Sequence, residues 1–315
     1  MTGEPLLSAR DLDVRYGATV AVSGLSLDVH AGEVVGLIGP DGAGKTSTLR
    51  VLGGLQRATR GTVRAFGDDC WRGRRALHHR LGYLAQRFAL YGDLTVDENV
   101  QFFALMYGVE NWQERRSRLL DMVGLGPFRN RIAERLSGGM KQKLALACTL
   151  IHSPRVLLLD EPTSGVDPVT RREFWRLLAE LVGDGLTLVV ATPYLDEAER
   201  CNRIVLMHRG RVLADQPPAQ VPAVVPGVVV EVVASPRPTA QVALAAHPAV
   251  VDVTVFGPTL HVRLTDSDDP VAVVQAALDG AGVEVADVAI IRAGLEDAFL
   301  YLTRNTTEAT VAEAS

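Results

Sequence analysis

The 315-residue sequence predicts an α/β fold for roughly its first two hundred residues, followed by a smaller α+β domain. Continuous apolar runs of strand length occupy 33–39, 155–160 and 186–192, as expected for strands that are buried on both faces. An amphipathic helical segment at 172–185 separates the last two runs, which indicates parallel strands in a covered sheet. The stretch from about 88 to 150 is predicted to be mostly helical.

A proline-rich segment predicts the domain boundary. Residues 215–227 contain four prolines, so we expect no regular structure there. We therefore predict domains at 1–215 and 227–303, joined by a linker at 216–226 and followed by a flexible tail at 304–315. Within the second domain the order strand, helix, strand, strand, helix, strand predicts a ferredoxin-like arrangement.

Composition and charge exclude several classes of protein. The formal net charge is −5, which does not favour a nucleic-acid partner. The arginine-rich stretch 71–80 is either a solvated helix face or a surface for an acidic partner. The three cysteines are isolated, so we expect a reducing cytosol and neither a zinc nor a disulfide scaffold. We also expect no signal peptide and no segment that crosses a bilayer.

The segment GPDGAGKTS matches the phosphate-loop pattern G-x-x-x-x-G-K-[ST], and it follows a predicted strand and opens a predicted helix. Its glycines permit backbone turns that aim successive N–H groups at phosphate oxygens. Lys45 is predicted to reach the β- and γ-phosphates and Thr46 to bind Mg²⁺, whereas the negative charge of Asp41 has no evident role beyond a turn hydrogen bond. The chain is therefore predicted to be a P-loop NTPase whose nucleotide-binding residues are Gly39, Pro40, Asp41, Gly42, Ala43, Gly44, Lys45, Thr46 and Ser47.

Two carboxylates follow the apolar run that ends at residue 160. Open α/β sheets bind their ligands at the carboxyl ends of the strands, so Asp160 and Glu161 are expected beside the phosphate loop. Asp160 is predicted to hold Mg²⁺ through its water shell. Glu161 would then be free to orient or deprotonate an attacking water.

A second candidate anion site lies almost a hundred residues after the first. In RLSGGMKQK, Ser137, Gly138 and Gly139 stand at the start of a predicted helix, where free N–H groups favour an anion. The residues alone do not indicate which molecule carries that anion.

Taken in order, these landmarks resemble an ATP-binding-cassette (ABC) ATPase with its helical signature subdomain, over about residues 5 to 215. The resemblance implies ATP and Mg²⁺ as cofactors and two facing copies, so that Ser137, Gly138 and Gly139 hold the γ-phosphate of the partner's ATP. It further implies that Gln86 contacts Mg²⁺ and the attacking water. Tyr16 would stack on adenine, although it is otherwise an ordinary surface tyrosine. The segments that carry the resemblance are Tyr16, GPDGAGKTS, LAQR with Gln86, LSGGMKQK, LLLDEPTSGVDP and ATPYLDEAERC.

The lone cassette followed by a small domain resembles the exporter subgroup for drugs, lipids or polysaccharides. That implies an ATPase at the cytoplasmic face of the membrane, driving a separate transmembrane permease, with cargo and direction open. The alternatives are a soluble ABC mechanoenzyme and an ATP-binding regulator with little hydrolysis. Two departures bear on this: Met140 replaces the usual Gln, and Pro193 replaces the His that normally contacts the γ-phosphate.

Overall fold

The computed structural model describes residues 3–87, 89–265 and 268–313, with side chains described up to residue 305. The chain divides between Pro218 and Ala219 into two compact units. The predicted linker is more regular than expected, because residues Pro218–Val224 form a 3₁₀ helix. Pro218 stands at the start of this helix, where its missing N–H would have no helical partner in any case, whereas Pro222 lies inside it.

The first unit contains two sheets and seven α-helices within its described residues. Its strands are β1 Leu7–Tyr16, β2 Thr19–Val29, β3 Val34–Ile38, β4 Arg60–Ala65, β5 Asp68–Asp69, β6 Leu81–Leu84, β7 Val156–Asp160, β8 Thr187–Thr192, β9 Arg203–His208 and β10 Arg211–Gln216. Its helices are α1 Lys45–Leu52, α2 Arg74–Leu77, α3 Val96–Met106, α4 Trp112–Met122, α5 Gly138–Leu150, α6 Pro168–Gly183 and α7 Leu195–Ala198, with 3₁₀ turns at Gly126–Phe128 and Ala133–Arg135.

The central sheet has the strand order β10-β9-β3-β8-β7-β6. Strands β9, β3, β8, β7 and β6 run parallel, and β10 is antiparallel at one edge. Every residue of β3, β7 and β8 is buried, which explains why these strands carry continuous apolar runs. The predicted parallel sheet is therefore confirmed.

A second, antiparallel sheet has the order β2-β1-β4-β5, and the sequence analysis did not predict it. Its strands expose one face, so β1 alternates buried residues such as Leu7, Ala9 and Val14 with solvent-facing ones. Helix α1 contacts both sheets, and the apolar core of the unit lies around it. This position places the start of α1 at the carboxyl edge of the central sheet.

The stretch between β6 and β7 is largely helical, as predicted, and its helices begin at polar caps. Thr95 and Glu98 form a reciprocal capping box at the start of α3. Past the end of α5, His152 stacks on Tyr107 with 4.0 Å between the ring centroids, which joins the base of α5 to the end of α3. Phe88, in the loop that precedes α3, lies outside the described residues.

The second unit is a four-stranded antiparallel sheet with helices. Its elements are β11 Val228–Ser235, α8 Arg237–Ala245, β12 Val250–Phe256, β13 Thr259–Leu264, α9 Pro270–Leu278, β14 Glu284–Ile291 and α10 Leu295–Glu313. The strand order is β12-β13-β11-β14, and all neighbouring pairs are antiparallel. The ferredoxin-like assignment stays a prediction.

Helix α10 continues to Glu313 through most of the predicted tail, and the flexibility of that tail stays a prediction; residues 314 and 315 lie outside the described residues. The start of this helix is anchored on β13. The Asp297 carboxylate lies 2.9 Å from Nδ1 of His261, and the Arg263 guanidinium lies 5.2 Å from the Tyr301 ring centroid. These contacts hold the first two turns of α10 against β13.

Two further properties follow from the burial pattern. Cys70, Cys148 and Cys201 are all buried and free, and burial raises the pKa of each thiol. Among the helices of the described residues, none combines the length and the apolar character needed to span a bilayer.

Candidate functional site

The phosphate loop joins β3 to α1 at the carboxyl edge of the parallel sheet, as the motif predicts. Two of its glycines are required by space. A Cβ on Gly39 would lie 2.1 Å from the carbonyl oxygen of Met207, and one on Gly44 would lie 2.3 Å from that of Ala21. Gly44 also has a φ of 104°, which residues with a Cβ rarely adopt. The loop therefore keeps its open cradle only with glycine at these positions.

Lys45 is held inside the loop. Its Nζ donates hydrogen bonds to the carbonyl oxygens of Gly39, at 2.8 Å, and Pro40, at 3.0 Å. The same Nζ lies 3.4 Å from Oε1 of Glu161, and the Lys45 side chain is only 3% exposed. The positive charge thus has partners on several sides at the floor of the cradle.

Asp160 ends β7 beside the loop and is 2% exposed. Its Oδ1 accepts a hydrogen bond of 2.7 Å from the Thr46 hydroxyl, so the structure brings together two of the predicted Mg²⁺ ligands. Its Oδ2 accepts a hydrogen bond of 2.9 Å from the hydroxyl of Tyr83 on β6. Burial and the neighbouring Asp160 charge raise the pKa of Tyr83, so this hydroxyl stays protonated and donates.

The sequence analysis did not identify Tyr83. A signal was available, because Tyr83 precedes Gln86 by three residues on a strand that ends at the same sheet edge as the Asp160 strand. Parallel strands deliver the residues at their carboxyl ends to one place.

Glu161 has two local partners in this structure, and its predicted role toward an attacking water stays a prediction. Its Oε2 accepts a 2.8 Å hydrogen bond from Nε2 of Gln86, and its Oε1 faces Lys45. Its backbone φ is 49°, in the left-handed region that costs energy for a residue with a Cβ. The carboxylate is held by two partners that are themselves predicted site residues.

A cavity of about 450 Å³ opens at this place. Its lining combines the start of β2, the phosphate loop, the start of α1 and two residues that follow β6 and β7. It comprises Thr19, Val20, Ala21, Asp41, Gly42, Ala43, Gly44, Lys45, Thr46, Ser47, Gln86 and Glu161. The Thr46, Asp160 and Gln86 side chains offer oxygen atoms, the donors that Mg²⁺ prefers. Asp41 is exposed, and no hydrogen bond to its side chain is found among the described residues. The residues present therefore fit Mg²⁺ and a polyphosphate.

Tyr16 lies at the rim of the loop region. Its hydroxyl donates a 2.6 Å hydrogen bond to Oε1 of Gln56 and lies 3.3 Å from the Ser47 hydroxyl. The side chain is 46% exposed, so its ring is open to a partner. The adenine-stacking role stays a prediction.

The second anion-ready helix start stands apart from this cavity. Ser137 is the N-cap of α5, and its Oγ accepts a hydrogen bond from the backbone N–H of Met140 at 3.3 Å. Gly138 and Gly139 open the helix, and none of these residues lines the cavity around Lys45. The phosphate loop and the predicted anion site at the start of α5 therefore lie at separate places on the chain.

The segment after β8 contains Pro193, which has no backbone N–H and no side-chain donor. The neighbouring hydroxyl of Thr192 accepts a 3.1 Å hydrogen bond from the backbone N–H of Tyr194. The guanidinium carbon of Arg171 lies 4.3 Å from the centroid of the Tyr194 ring. The Thr192 hydroxyl still has its own O–H to donate, and the contact with Arg171 involves the Tyr194 ring and not its hydroxyl.

The chain resembles known proteins over the same region. The family model for ABC transporters matches residues 22–164. The multidrug ABC transporter ATP-binding protein YbhF of Escherichia coli, named as probable, is 50% identical over 61% of this chain, and the match spans 34% of that relative. The daunorubicin resistance ATP-binding protein DrrA3 of Streptomyces coeruleorubidus is 37% identical over 92% of this chain and 93% of its own length.

A solved structure agrees with these matches. The dimeric structure of a bacterial ABC transporter cassette has a TM-score of 0.61 and 28% identity, and it covers 67% of this chain and 98% of the cassette. The fold is thus that of ABC ATPase cassettes, which is the predicted P-loop NTPase fold. With a near full-length relative above 30% identity, the chain belongs to the ATP-binding proteins of the ABC transporter family.

Proposed function

We propose that this chain binds and hydrolyses ATP with Mg²⁺, and that it works as the paired ATPase subunit of a transporter. One observation carries the proposal. Lys45 and Thr46 at the start of α1 lie within hydrogen-bond or ion-pair distance of Glu161 and Asp160, respectively, at the end of β7. The phosphate loop lies beside two carboxylates: Asp160 is close to the Thr46 hydroxyl, a predicted Mg²⁺ ligand, and Glu161 is close to Lys45. This arrangement suits phosphoryl transfer to water.

Binding would begin at the cradle. The backbone N–H groups of the loop and the start of α1 favour a polyphosphate, and the Lys45 ammonium adds a full charge. Thr46, Asp160 and Gln86 would hold Mg²⁺, which neutralises charge on the phosphate oxygens when bound. Tyr16 would contribute an aromatic face for adenine.

Glu161 is the proposed general base. In the structure its two oxygens face Lys45 and Gln86, so its charge is compensated before any nucleotide binds. When the Lys45 charge is drawn to phosphate oxygens, Glu161 keeps the Gln86 contact and gains the freedom to accept a proton from water. Glu161 and Gln86 would therefore act together on the attacking water.

A second copy of the chain would complete the site. The helix start at Ser137, Gly138 and Gly139 offers an anion site that does not line the cavity around Lys45, so its anion comes from elsewhere. The similarity to a dimeric cassette supports a homodimer in which each chain contributes its phosphate loop to one ATP and its signature helix to the other.

The proposed partner is a separate transmembrane permease, with the chain bound at the cytoplasmic face of the membrane. Helix α3 follows the loop after Gln86 and ends in exposed apolar residues: Leu105 is 61% and Met106 is 55% exposed. Such side chains suit a protein partner better than water. The names of DrrA3 and YbhF support drug export, and the cargo class that we propose is a drug, lipid or polysaccharide.

A specific observation favours a second candidate, an ATP-binding regulator with little hydrolysis. Pro193 supplies no donor to the γ-phosphate. Hydrolysis would then proceed without the γ-phosphate contact that the usual histidine makes.

The test is Mg²⁺-dependent ATP hydrolysis as a function of protein concentration, for the wild type and Glu161→Gln. General-base assistance typically contributes about 10²–10⁴-fold, so we expect the variant to lose at least about 10²-fold. The rate per subunit should rise with concentration, because two chains form each site. Glu199→Gln is the matched control, since Glu199 is an exposed glutamate of the same unit.

ATP binding without measurable turnover in the wild type, also with the candidate permease in vesicles, would contradict the ATPase and support the regulator. Equal rates in the wild type and Glu161→Gln would remove Glu161 from the mechanism.

A further inference from the structure

Two side chains at the end of β6 reach the two acidic residues at the end of β7. Tyr83 donates to Oδ2 of Asp160 at 2.9 Å, and Gln86 donates to Oε2 of Glu161 at 2.8 Å. The strands are parallel neighbours, and Tyr83 pairs in register with Leu158. One strand end thus supplies one hydrogen bond to each carboxylate.

The Asp160 carboxylate has no other side-chain donor within the described part of the chain. Thr46 occupies Oδ1 and Tyr83 occupies Oδ2, and the residue is 2% exposed. A buried carboxylate oxygen without a donor is costly, so the Tyr83 hydroxyl fixes the rotation of this group.

We propose that Tyr83 is a positioning residue for the metal site, holding Asp160 in the orientation that Mg²⁺ binding requires. The inference rests on the ATP- and Mg²⁺-binding function proposed above. Mutation of a residue that hydrogen-bonds a metal-binding carboxylate typically lowers the metal affinity by about 10- to 100-fold, although that residue does not contact the ion.

A purely structural role makes a different prediction. The Tyr83 ring is partly buried beside Gly53, at the end of α1. A Cβ placed on Gly53 would lie 3.4 Å from this ring, which shows how closely the ring packs there. Tyr83→Phe keeps this ring and removes only the hydroxyl. Packing alone would therefore leave metal binding unchanged in the variant.

The experiment titrates Mn²⁺ into the full chain with a saturating non-hydrolysable ATP analogue, AMP-PNP, and measures free Mn²⁺ by electron paramagnetic resonance. For Tyr83→Phe we expect the Mn²⁺ dissociation constant to rise about tenfold. The affinity for a fluorescent ATP, measured in EDTA without any metal, should stay within about twofold of the wild type. Neither readout requires turnover.

Tyr107→Phe is the matched control, because it removes a hydroxyl from another partly buried tyrosine, one that stacks on His152. It should lower the thermal midpoint at most slightly and leave Mn²⁺ binding unchanged. Tyr83→4-aminophenylalanine keeps the ring and a donor at the same position, and it should recover most of the lost Mn²⁺ affinity.

The outcomes separate the two proposals. An unchanged Mn²⁺ affinity in Tyr83→Phe, or an equal loss in Tyr83→Phe and Tyr107→Phe, overturns the role of Tyr83 and leaves the proposed function intact. A 4-aminophenylalanine protein that binds Mn²⁺ as weakly as the Phe protein also overturns it. A wild type that binds no nucleotide in either condition overturns the proposed function, and the inference falls with it.

Discussion

His152, which follows α5, is expected to make the free energy of unfolding depend on pH. Its ring stacks on Tyr107, and its Nε2 lies 3.3 Å from the carbonyl oxygen of Leu81. Burial lowers the pKa of this imidazole from 6.5 to about 4, and the nearby positive groups of His79 and Arg115 add to the effect. The folded unit therefore holds this ring neutral at pH 7.

The direction of the effect follows from the two states. Between pH 6.5 and pH 4 the unfolded chain binds a proton at this position and the folded chain does not, so the free energy of unfolding falls as the pH falls. From pH 7 to pH 5 this shift gives an upper bound of about 2 kcal/mol. Because the ring is partly open to solvent, we expect about 1 kcal/mol.

The assay compares the wild type with His152→Gln by urea unfolding at pH 7 and pH 5. Glutamine does not titrate, and its amide can still donate to the Leu81 carbonyl. All three tryptophans lie in the first unit, so their fluorescence follows the unit that contains His152. The pH-dependent loss of stability should be about 1 kcal/mol smaller in the variant.

Other histidines with a lowered pKa, His78 and His208, are present in both proteins and cancel in the comparison. An equal loss of stability in the two proteins between pH 7 and pH 5 would refute the reasoning.

Two further changes test the backbone of the first unit. Gly44→Ala should weaken binding of a fluorescent ATP by about tenfold or more, because the new Cβ would clash with the Ala21 carbonyl oxygen and the φ of residue 44 is 104°. The control Gly124→Ala should leave this affinity unchanged, because residue 124 also has a positive φ, of 71°, but has open space around it. Thr95→Ala removes the capping box of α3 and should lower the free energy of unfolding by about 1 kcal/mol in the same urea assay, and a loss near zero would contradict the cap.

The parts of the fold that could be predicted are those whose signal is local. The strand before Gly39 and the strand before Asp160 are buried on both faces, so their apolar runs are continuous. The phosphate loop needs a fixed spacing of glycine, lysine and threonine, and this spacing can be recognised in a single sequence. The antiparallel sheet was missed because its half-exposed strands alternate and carry shifts in register.

The partners within the site could not be predicted in the same way. The contact between Tyr83 and Asp160 joins residues that are 77 positions apart, and it depends on which strands are neighbours. The contact between Lys45 and Glu161 likewise depends on the side-chain directions at the start of α1 and after the end of β7. The position of the start of α10 depends likewise on tertiary contacts such as that between His261 and Asp297, which are 36 positions apart.

The bonds of Lys45 to the Gly39 and Pro40 carbonyls have a consequence for how nucleotide arrives. These hydrogen bonds tie the Lys45 ammonium group to the backbone of its own loop and help to hold the loop in shape. A receptor that is already ordered loses little conformational entropy when its ligand docks, so more of the gross contact energy appears as affinity. Exchange of spent for fresh nucleotide would then require only a change of partners at one ammonium group, with no refolding of the loop between rounds.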